Sequence, residues 1–466
     1  VNTLVLRSAI VAALGGLIFG FDTAVISGTT EDLERVFGIS GFTLGFTVAT
    51  ALIGTIVGAL GAGRPVDLFG RKKVLYTIGV LYLIGAIGSA LAPNLTLFMI
   101  FRFVGGIGVG AASVTAPIYT AEVSPPRLRG RLVGLVQFNI VLGILLAYMS
   151  NYLIAQALPE DTAWRWMFGV MAIPAAIFLV LLFTVPESPR WLLATGRTDE
   201  GEAVVRRLTR NEAEAREELD DVSASLRAAE NAPSVKFFTR EHRKVILLAF
   251  AIAAFNQLSG INAVLYYAPE VFRMAGAGEN AAFLESVAVG GVNLIATMAA
   301  LTVIDRIGRR KLMLVGSVGY LISLSGLEVV FFIYNENFSG VSSALVLVGI
   351  MVFIASHAFG QGAVIWVFIS EIFPNRIRGR GQSFGSLTHW VFAAVVSWSF
   401  PGIASALGGG AAFLLFAICM VGQLVWVIRV MPETKGIPLE EMERELGLVH
   451  SPAVQAPAPE TRPTTR

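Results

Sequence analysis

The chain has 466 residues, 55% of them apolar and only 15% charged, with a net charge of +2 and a mean hydropathy of +0.70. Counted with glycine in place of tyrosine the apolar share is about 63%, against roughly 45–50% for a soluble domain, whose charged share is nearer 25%. These values exclude an ordinary soluble enzyme, a disordered chain and a nucleic-acid binder, while a single cysteine (Cys419) and four histidines leave neither a disulfide frame nor a metal site.

What remains is an all-α membrane protein. The apolar segments are continuous runs of about 20 residues, which suit spanning helices; barrel strands alternate over about ten. Twelve such runs lie near 8–30, 43–63, 74–92, 95–119, 132–156, 165–185, 244–268, 281–304, 312–334, 342–369, 381–404 and 410–431. The first reads as a span rather than a cleavable signal peptide, because it continues into GFDTAVISG and eleven more runs follow.

Loop charge predicts the orientation. The loops after spans 2, 4, 8 and 10 carry Arg64, Arg71, Lys72, Lys73, Arg127, Arg129, Arg131, Arg306, Arg309, Arg310, Lys311, Arg376, Arg378 and Arg380. The loops after odd-numbered spans carry Arg35, Arg165 and Arg273. The excess of positive charge on one side places both termini in the cytoplasm of a multi-pass protein in the cell membrane.

Residues 186–242 break the apolar pattern, with 21 charged residues in 57 positions. Runs such as DEGEAVVRRLTRNEAEAREELDDVSASLRAAE predict short amphipathic helices linking two halves. The tail from 445 is Pro-rich, lacks apolar periodicity and reads as disordered. The expected organisation is a six-helix bundle over 1–185, a cytoplasmic linker over 186–242, a second six-helix bundle over 243–431 and a cytoplasmic tail over 432–466.

The halves repeat. DLFGRKK at 67–73 returns as DRIGRRK at 305–311, an offset of 238; EVSPPRLRGR at 122–131 returns as EIFPNRIRGR at 371–380, an offset of 249; PES at 186–188 returns as PET at 432–434, an offset of 246. Charged anchoring explains the basic residues but not the repeated Glu-x-x-Pro-x-Arg-x-Arg-Gly, so a six-span unit has been duplicated. Two parallel repeats suit a carrier that rocks about a midplane site. The repeated loops supply candidate gate residues: Asp67, Arg71, Glu122, Arg127, Arg129 and Glu187 in the first half, Asp305, Arg309, Glu371, Arg376, Arg378 and Glu433 in the second. Glu122 and Glu371 are expected to face the arginine pairs that follow them. Such networks would latch the cytoplasmic side in one state and break in the other, with Asp305 affecting the balance rather than binding.

With these signatures the chain resembles the sugar porters of the major facilitator superfamily over residues 8 to 440. The resemblance rests on FGFDTAVISG (19–28), DLFGRKK, RFVGGIGVG (102–110), EVSPPRLRGR, PESPRWL (186–192), QLSGINAVLYYAPEVF (257–272), DRIGRRK, EIFPNRIRGR and PETKG (432–436). The glycines of RFVGGIGVG sit in mid-span with no strand before them, so they serve helix contact and not nucleotide binding. Among family types the chain is most similar to bacterial proton–monosaccharide symporters of the xylose type. The resemblance implies the major facilitator fold and import of a hexose or pentose with a proton, by alternating access.

Asp22 and Arg102 carry the proton argument. Both interrupt apolar spans, where a charge costs roughly 2.5–3.5 kcal/mol, so they are expected to face inward and pair. A carboxylate beside a guanidinium stays ionised; parted from it in apolar surroundings, it binds a proton. A static pair pinning spans 1 and 4 is the plainer alternative. The resemblance tips the balance, because facilitative relatives usually carry Asn at the position of Asp22.

A neutral sugar needs amides, which both donate and accept, and aromatic faces. Span 7 supplies Asn256, Gln257 and Asn262; on an unbroken helix Gln257 and Asn262 would lie about 140° apart, and Gly260 between them predicts a break. The resemblance assigns sugar contacts to Gln137, Gln257, Asn262 and Asn293, aromatic walls to Phe19, Tyr266, Trp366 and Trp390, and a backbone position to Gly362. Asn256 stands where Gln is usual, Ile144 where xylose symporters carry a second Gln, and His389 where Gln or Asn commonly precedes Trp390. These departures leave pentose and hexose open. His357, in span 10, reads as a satisfied interior histidine. The expected partners are a neutral sugar, a proton and the lipid bilayer, with no nucleic acid and no cofactor, and the chain is expected to be monomeric. A facilitative uniporter on the same fold and a non-transporting sugar sensor are the rival readings. No nucleophile–base pair supports an enzyme.

Overall fold

A computed structural model describes residues 2–230, 236–334, 337–374, 376–437, 439–446 and 448. Among these residues twelve helices are long and apolar enough to cross a membrane: Thr3–Gly28, Gly41–Phe69, Arg71–Leu91, Leu95–Val123, Arg127–Ala157, Glu160–Leu182, Arg243–Tyr266, Glu279–Ile307, Arg309–Tyr334, Gly340–Ile372, Arg378–Leu407 and Gly409–Arg429. They are spans 1 to 12. Each matches one of the apolar runs, and most reach further at the ends, where polar residues continue the helix. Large apolar side chains such as Ile295, Ile322, Phe332 and Ile418 point outward, the surface a lipid-facing helix needs.

Local chemistry sets the ends. The Asn94 side chain accepts from the Leu97 N–H at 3.0 Å and starts span 4. Ser339 and Ser342 form a reciprocal capping box ahead of span 10. Spans 2 and 3 are joined through Gly70 (φ 94°) and spans 8 and 9 through Gly308 (φ 100°), the glycines of DLFGRKK and DRIGRRK. A Cβ there would be strained in φ and would stand 2.4 Å from Glu187 Oε2 and 2.6 Å from Glu433 Oε2 respectively.

Among the described residues three spans are interrupted, the sixth by a turn at Val170 and Met171 between Glu160–Gly169 and Ala172–Leu182. Span 7 runs as Arg243–Leu258, turns at Gly260 (φ 87°) and resumes as Ile261–Tyr266, the break expected at that glycine. Span 10 contains a π-helical turn over Ala358–Gly362, a distortion common at functional sites. Between the halves lie helices Pro189–Ala194, Thr198–Leu208 and Glu212–Glu230, as the charged, amphipathic pattern predicts. The Asn2 side chain donates to the Arg207 carbonyl at 2.7 Å, fastening the linker beneath span 1. The Pro-rich stretch 449–466 lies outside the described residues.

With an even number of spans, the start of span 1, the end of span 12 and the linker share one face. The halves meet near the opposite face. There Trp398 Nε1 donates to the Phe42 carbonyl at 3.1 Å, the Tyr148 hydroxyl donates to the Leu265 carbonyl at 2.6 Å, and Arg273 Nε lies 3.3 Å from the Glu31 carboxylate. Beside this closure the short helix Thr30–Phe37 carries Asp32, whose carboxyl burial pushes up to about 6 against the pull of Arg35.

Candidate functional site

Asp22 on span 1 and Arg102 on span 4 are each 4% exposed, and they meet side by side. Arg102 Nη1 donates to Asp22 Oδ1 at 2.5 Å and Nη2 to Oδ2 at 3.4 Å. The guanidinium also lies 5.2 Å from the Phe168 ring centre, a cation–π contact that helps carry the charge through hydrocarbon. The pair borders a small cavity. Phe19, Thr23, Ile26, Val48, Leu52, Thr55, Tyr266 and Trp390 share its lining with them. Tyr266 arrives there because span 7 breaks at Gly260.

A second cluster begins at Trp390. Its ring stands 5.6 Å from Phe19 and 4.8 Å, edge-on, from His389, and His389 lies 5.2 Å from Trp366. Gln257 Nε2 sits 3.3 Å from the His389 ring nitrogens and donates to Asn256 Oδ1 at 2.8 Å. Gln257 is 1% exposed, yet its Oε1 has no partner; Trp390, 6% exposed, likewise leaves Nε1 without one. An unpaired buried acceptor and an unpaired buried donor, each reached through His389, are each costly, by about 1–3 kcal/mol, and suit a ligand carrying hydroxyls.

The other sequence-predicted residues are placed less tightly. Asn293, 8% exposed, accepts from Thr297 Oγ1 at 3.4 Å. No hydrogen bond joins Gln137, Asn262 or Asn293 to either cluster among the described residues. Gly362 closes the π turn against His357, and Ile144 is packed in the core. Asn256 has both polar ends engaged, donating through Nδ2 to Gln361 at 3.5 Å. His357 is within 2.6 Å of the Tyr320 hydroxyl, so it is satisfied as expected. Gln361 and Gln423 were not selected from the sequence. Both are amides inside apolar spans, and the criterion that singles out Gln257 would have found them.

The repeated loops form two matching clasps on the face shared by the termini. In the first half Arg71 donates to Glu122 twice, at 2.8 and 2.9 Å, and Ser188 Oγ donates to the same carboxylate at 2.6 Å. Glu187 accepts the Arg71 and Lys72 N–H groups, both at 3.0 Å, neutralising the start of span 3. Burial pushes the Glu187 carboxyl up, opposed by those N–H groups. In the second half Arg309 donates to Glu371 at 3.0 and 2.7 Å, Thr434 Oγ1 adds 2.6 Å, and Glu433 accepts from the Arg309 and Arg310 N–H groups at 2.9 and 3.1 Å.

Two expectations need correction here. Glu122 and Glu371 do not face the arginines that follow them. They are taken by Arg71 and Arg309, which the helix hairpins deliver first. Arg127 reaches Glu214 at 3.5 Å, Arg129 donates to the Ala121 carbonyl, Arg376 is exposed, and Arg378 leaves Nε and Nη2 buried without partners. Nor do the clasps break while the opposite face is closed, since each lies within one half. Asp67 and Asp305 add outer contacts at 3.6 and 3.0 Å from highly exposed carboxylates. Exposed pairs contribute about 0–1 kcal/mol, whereas stripping a buried charge of its partner costs more. Glu371→Gln should therefore lower the melting temperature in detergent several times more than Asp305→Asn; equal shifts would show that Glu371 is not the main partner.

Twelve spans in two clasped halves, with a buried ion pair in the first and unpaired amide and indole groups in the second, define a membrane carrier for small polar solutes. The model of the Sugar (and other) transporter family matches residues 8–446, and the chain belongs to that family. It is 37% identical to the D-xylose-proton symporter of Escherichia coli (strain K12) over 472 aligned residues, covering 93% of this chain and 94% of that protein. It is 36% identical over 437 residues to the Arabinose-proton symporter of Bacillus subtilis (strain 168), covering 93% of each. Among solved structures, the inward open conformation of the xylose transporter XylE from E. coli superposes with a TM-score of 0.84 at 35% identity, covering 95% of this chain and 99% of that one. These matches bear out the major facilitator fold implied by the resemblance.

Proposed function

We propose that the protein is a proton-coupled monosaccharide symporter that imports a hexose or a pentose by alternating access. The observation that carries this reading is the Asp22–Arg102 pair, buried and lining the same cavity as Phe19, Tyr266 and Trp390. The proton site and the aromatic wall then border one another. Rocking that also shifts span 1 against span 4 would part the pair and leave the carboxylate in apolar surroundings, where it takes a proton; re-forming the pair expels it. The bodies that rock are residues 1–185 and 243–431, joined by the linker 186–242. Basic loops put the shared face of the termini in the cytoplasm, so the closed face is external and the site faces inward. Similarity to the xylose and arabinose symporters supports the substrate class. Ile144 and His389 alter the hydrogen-bonding set relative to xylose carriers. The chain works as a monomer in the inner membrane and needs no cofactor.

The test is uptake of radiolabelled pentoses, hexoses and inositol in cells lacking their own sugar carriers, with and without a protonophore. Protonophore-sensitive accumulation of one monosaccharide, with alkalinisation of the medium, is expected. Uptake that only equilibrates and ignores the protonophore would make it a uniporter, and no uptake at all would make it a sensor.

A further inference from the structure

Four amides and one hydroxyl run head to tail through the second half. On span 9, Ser317 Oγ donates to the Met313 carbonyl at 2.7 Å and accepts from Gln423 Nε2 at 2.8 Å. Gln423 Oε1 accepts from Gln361 Nε2, and Gln361 Oε1 accepts from Asn256 Nδ2 at 3.5 Å. Asn256 Oδ1 accepts from Gln257 Nε2 at 2.8 Å. All five side chains are 2% exposed or less.

A side-chain amide fits its space equally well either way round, so only its neighbours choose its sense. Here the choice is made at the far end. The Ser317 proton is committed to a backbone carbonyl that cannot turn, so the hydroxyl offers only lone pairs to Gln423. Gln423 must then present its nitrogen to Ser317 and its oxygen to Gln361, and the same logic passes through Gln361 and Asn256. Gln257 ends with its nitrogen turned inward, toward Asn256 and the His389 ring, and with Oε1 unpaired.

We propose that Gln361 and Gln423 are positioning residues: acting through Asn256, they hold Gln257 with its carbonyl oxygen toward the substrate, so that the site demands a hydroxyl that donates at that point. This rests on the transport reading. Neither residue touches the substrate. Gln361 lies in the π turn of span 10 and Gln423 in span 12, so the relay also ties the site to two helices behind it.

Fluorine accepts a hydrogen bond but does not donate one, so fluoro-sugars read the sense of the amide. The experiment is binding of the transported monosaccharide and its singly fluorinated analogues to detergent-purified wild type, Gln361→Met and Ser317→Ala, with melting curves for each. In the wild type one position should show a fluorine penalty on the order of tenfold. In Gln361→Met that penalty should fall to about twofold while the parent sugar binds several-fold more weakly, because the freed amide can turn its N–H₂ toward the fluorine. Ser317→Ala should move the same position in the same direction, and it decides the matter if Gln361→Met does not fold. Wild type that tolerates fluorine at every position, or variants that keep the full penalty, would overturn the relay and leave the transport reading standing. Wild type that binds no sugar would overturn both.

Discussion

Asp22→Asn should abolish accumulation of sugar against its gradient while sugar-for-sugar exchange continues. The replacement keeps the shape and one acceptor oxygen for Arg102 but removes the titrating group. With one proton per sugar, each pH unit across the membrane is worth about 1.4 kcal/mol, roughly a tenfold concentration ratio. In the variant that ratio should fall to about one whatever the pH gradient. Exchange needs only rocking of the loaded carrier, and Phe19, Tyr266 and Trp390 are untouched. The variant should also melt earlier, because Arg102, 4% exposed, would hold its charge opposite a neutral amide. Sugar-loaded vesicles with an imposed pH gradient give the first readout and counterflow in the same vesicles the second. Uphill uptake by the variant at the wild-type ratio would assign the pair a purely structural role, pinning spans 1 and 4.

The second large effect is expected at Gly45. Span 2 crosses span 11 there so closely that a Cβ on Gly45 would stand 1.9 Å from the Trp398 carbonyl oxygen and 2.8 Å from its carbon. Backbone lies on both sides, so no rotamer change relieves the overlap. The crossing is held by the Trp398–Phe42 hydrogen bond and by the Phe46 and Trp398 rings at 5.3 Å. Gly45→Leu should wedge this seam apart and bias the carrier to the state open on the closed face seen here. Overpacking costs about 1–3 kcal/mol or more, so net uptake should fall by on the order of tenfold to hundredfold. Sugar binding should survive, because the amide and aromatic groups lie deeper in the molecule. Hydrogen exchange across residues 41–46 and 398–405 should rise in step. Wild-type uptake with an undisturbed seam would mean that the close approach is not needed for closure.

Much of this is legible in the amino-acid sequence. Continuous apolar runs fixed the twelve spans, because backbone groups in hydrocarbon leave helices as the only solution for such runs. Asp22 and Arg102 stood out for the same reason, and their meeting follows from the cost of leaving either alone. The Gly260 break was readable because Gln257 and Asn262 would otherwise diverge. The clasps were harder. Spacing shows that Asp67 lies four residues before Arg71, but the bidentate partner, Glu122, comes from another hairpin, and proximity in sequence favoured Arg127 and Arg129 instead. The relay through Gln361 and Gln423 was missed because it depends on which faces of spans 7, 9, 10 and 12 meet, and on a π turn that shifts the register of span 10. The repeat shows where the halves correspond, not where their interiors have diverged.

The two clasps have a consequence for how such a machine responds to its surroundings. Each bidentate arginine, with its capping glutamate, is internal to one lever arm and not shared across the fulcrum. Raising the electrolyte concentration at the clasp face would soften both arms alike and leave the tilt between them where it was. Orientation is instead set by the seam on the far side, where glycine contacts and one arginine bridge do the fastening. A carrier arranged this way is stiffened at one face and switched at the other.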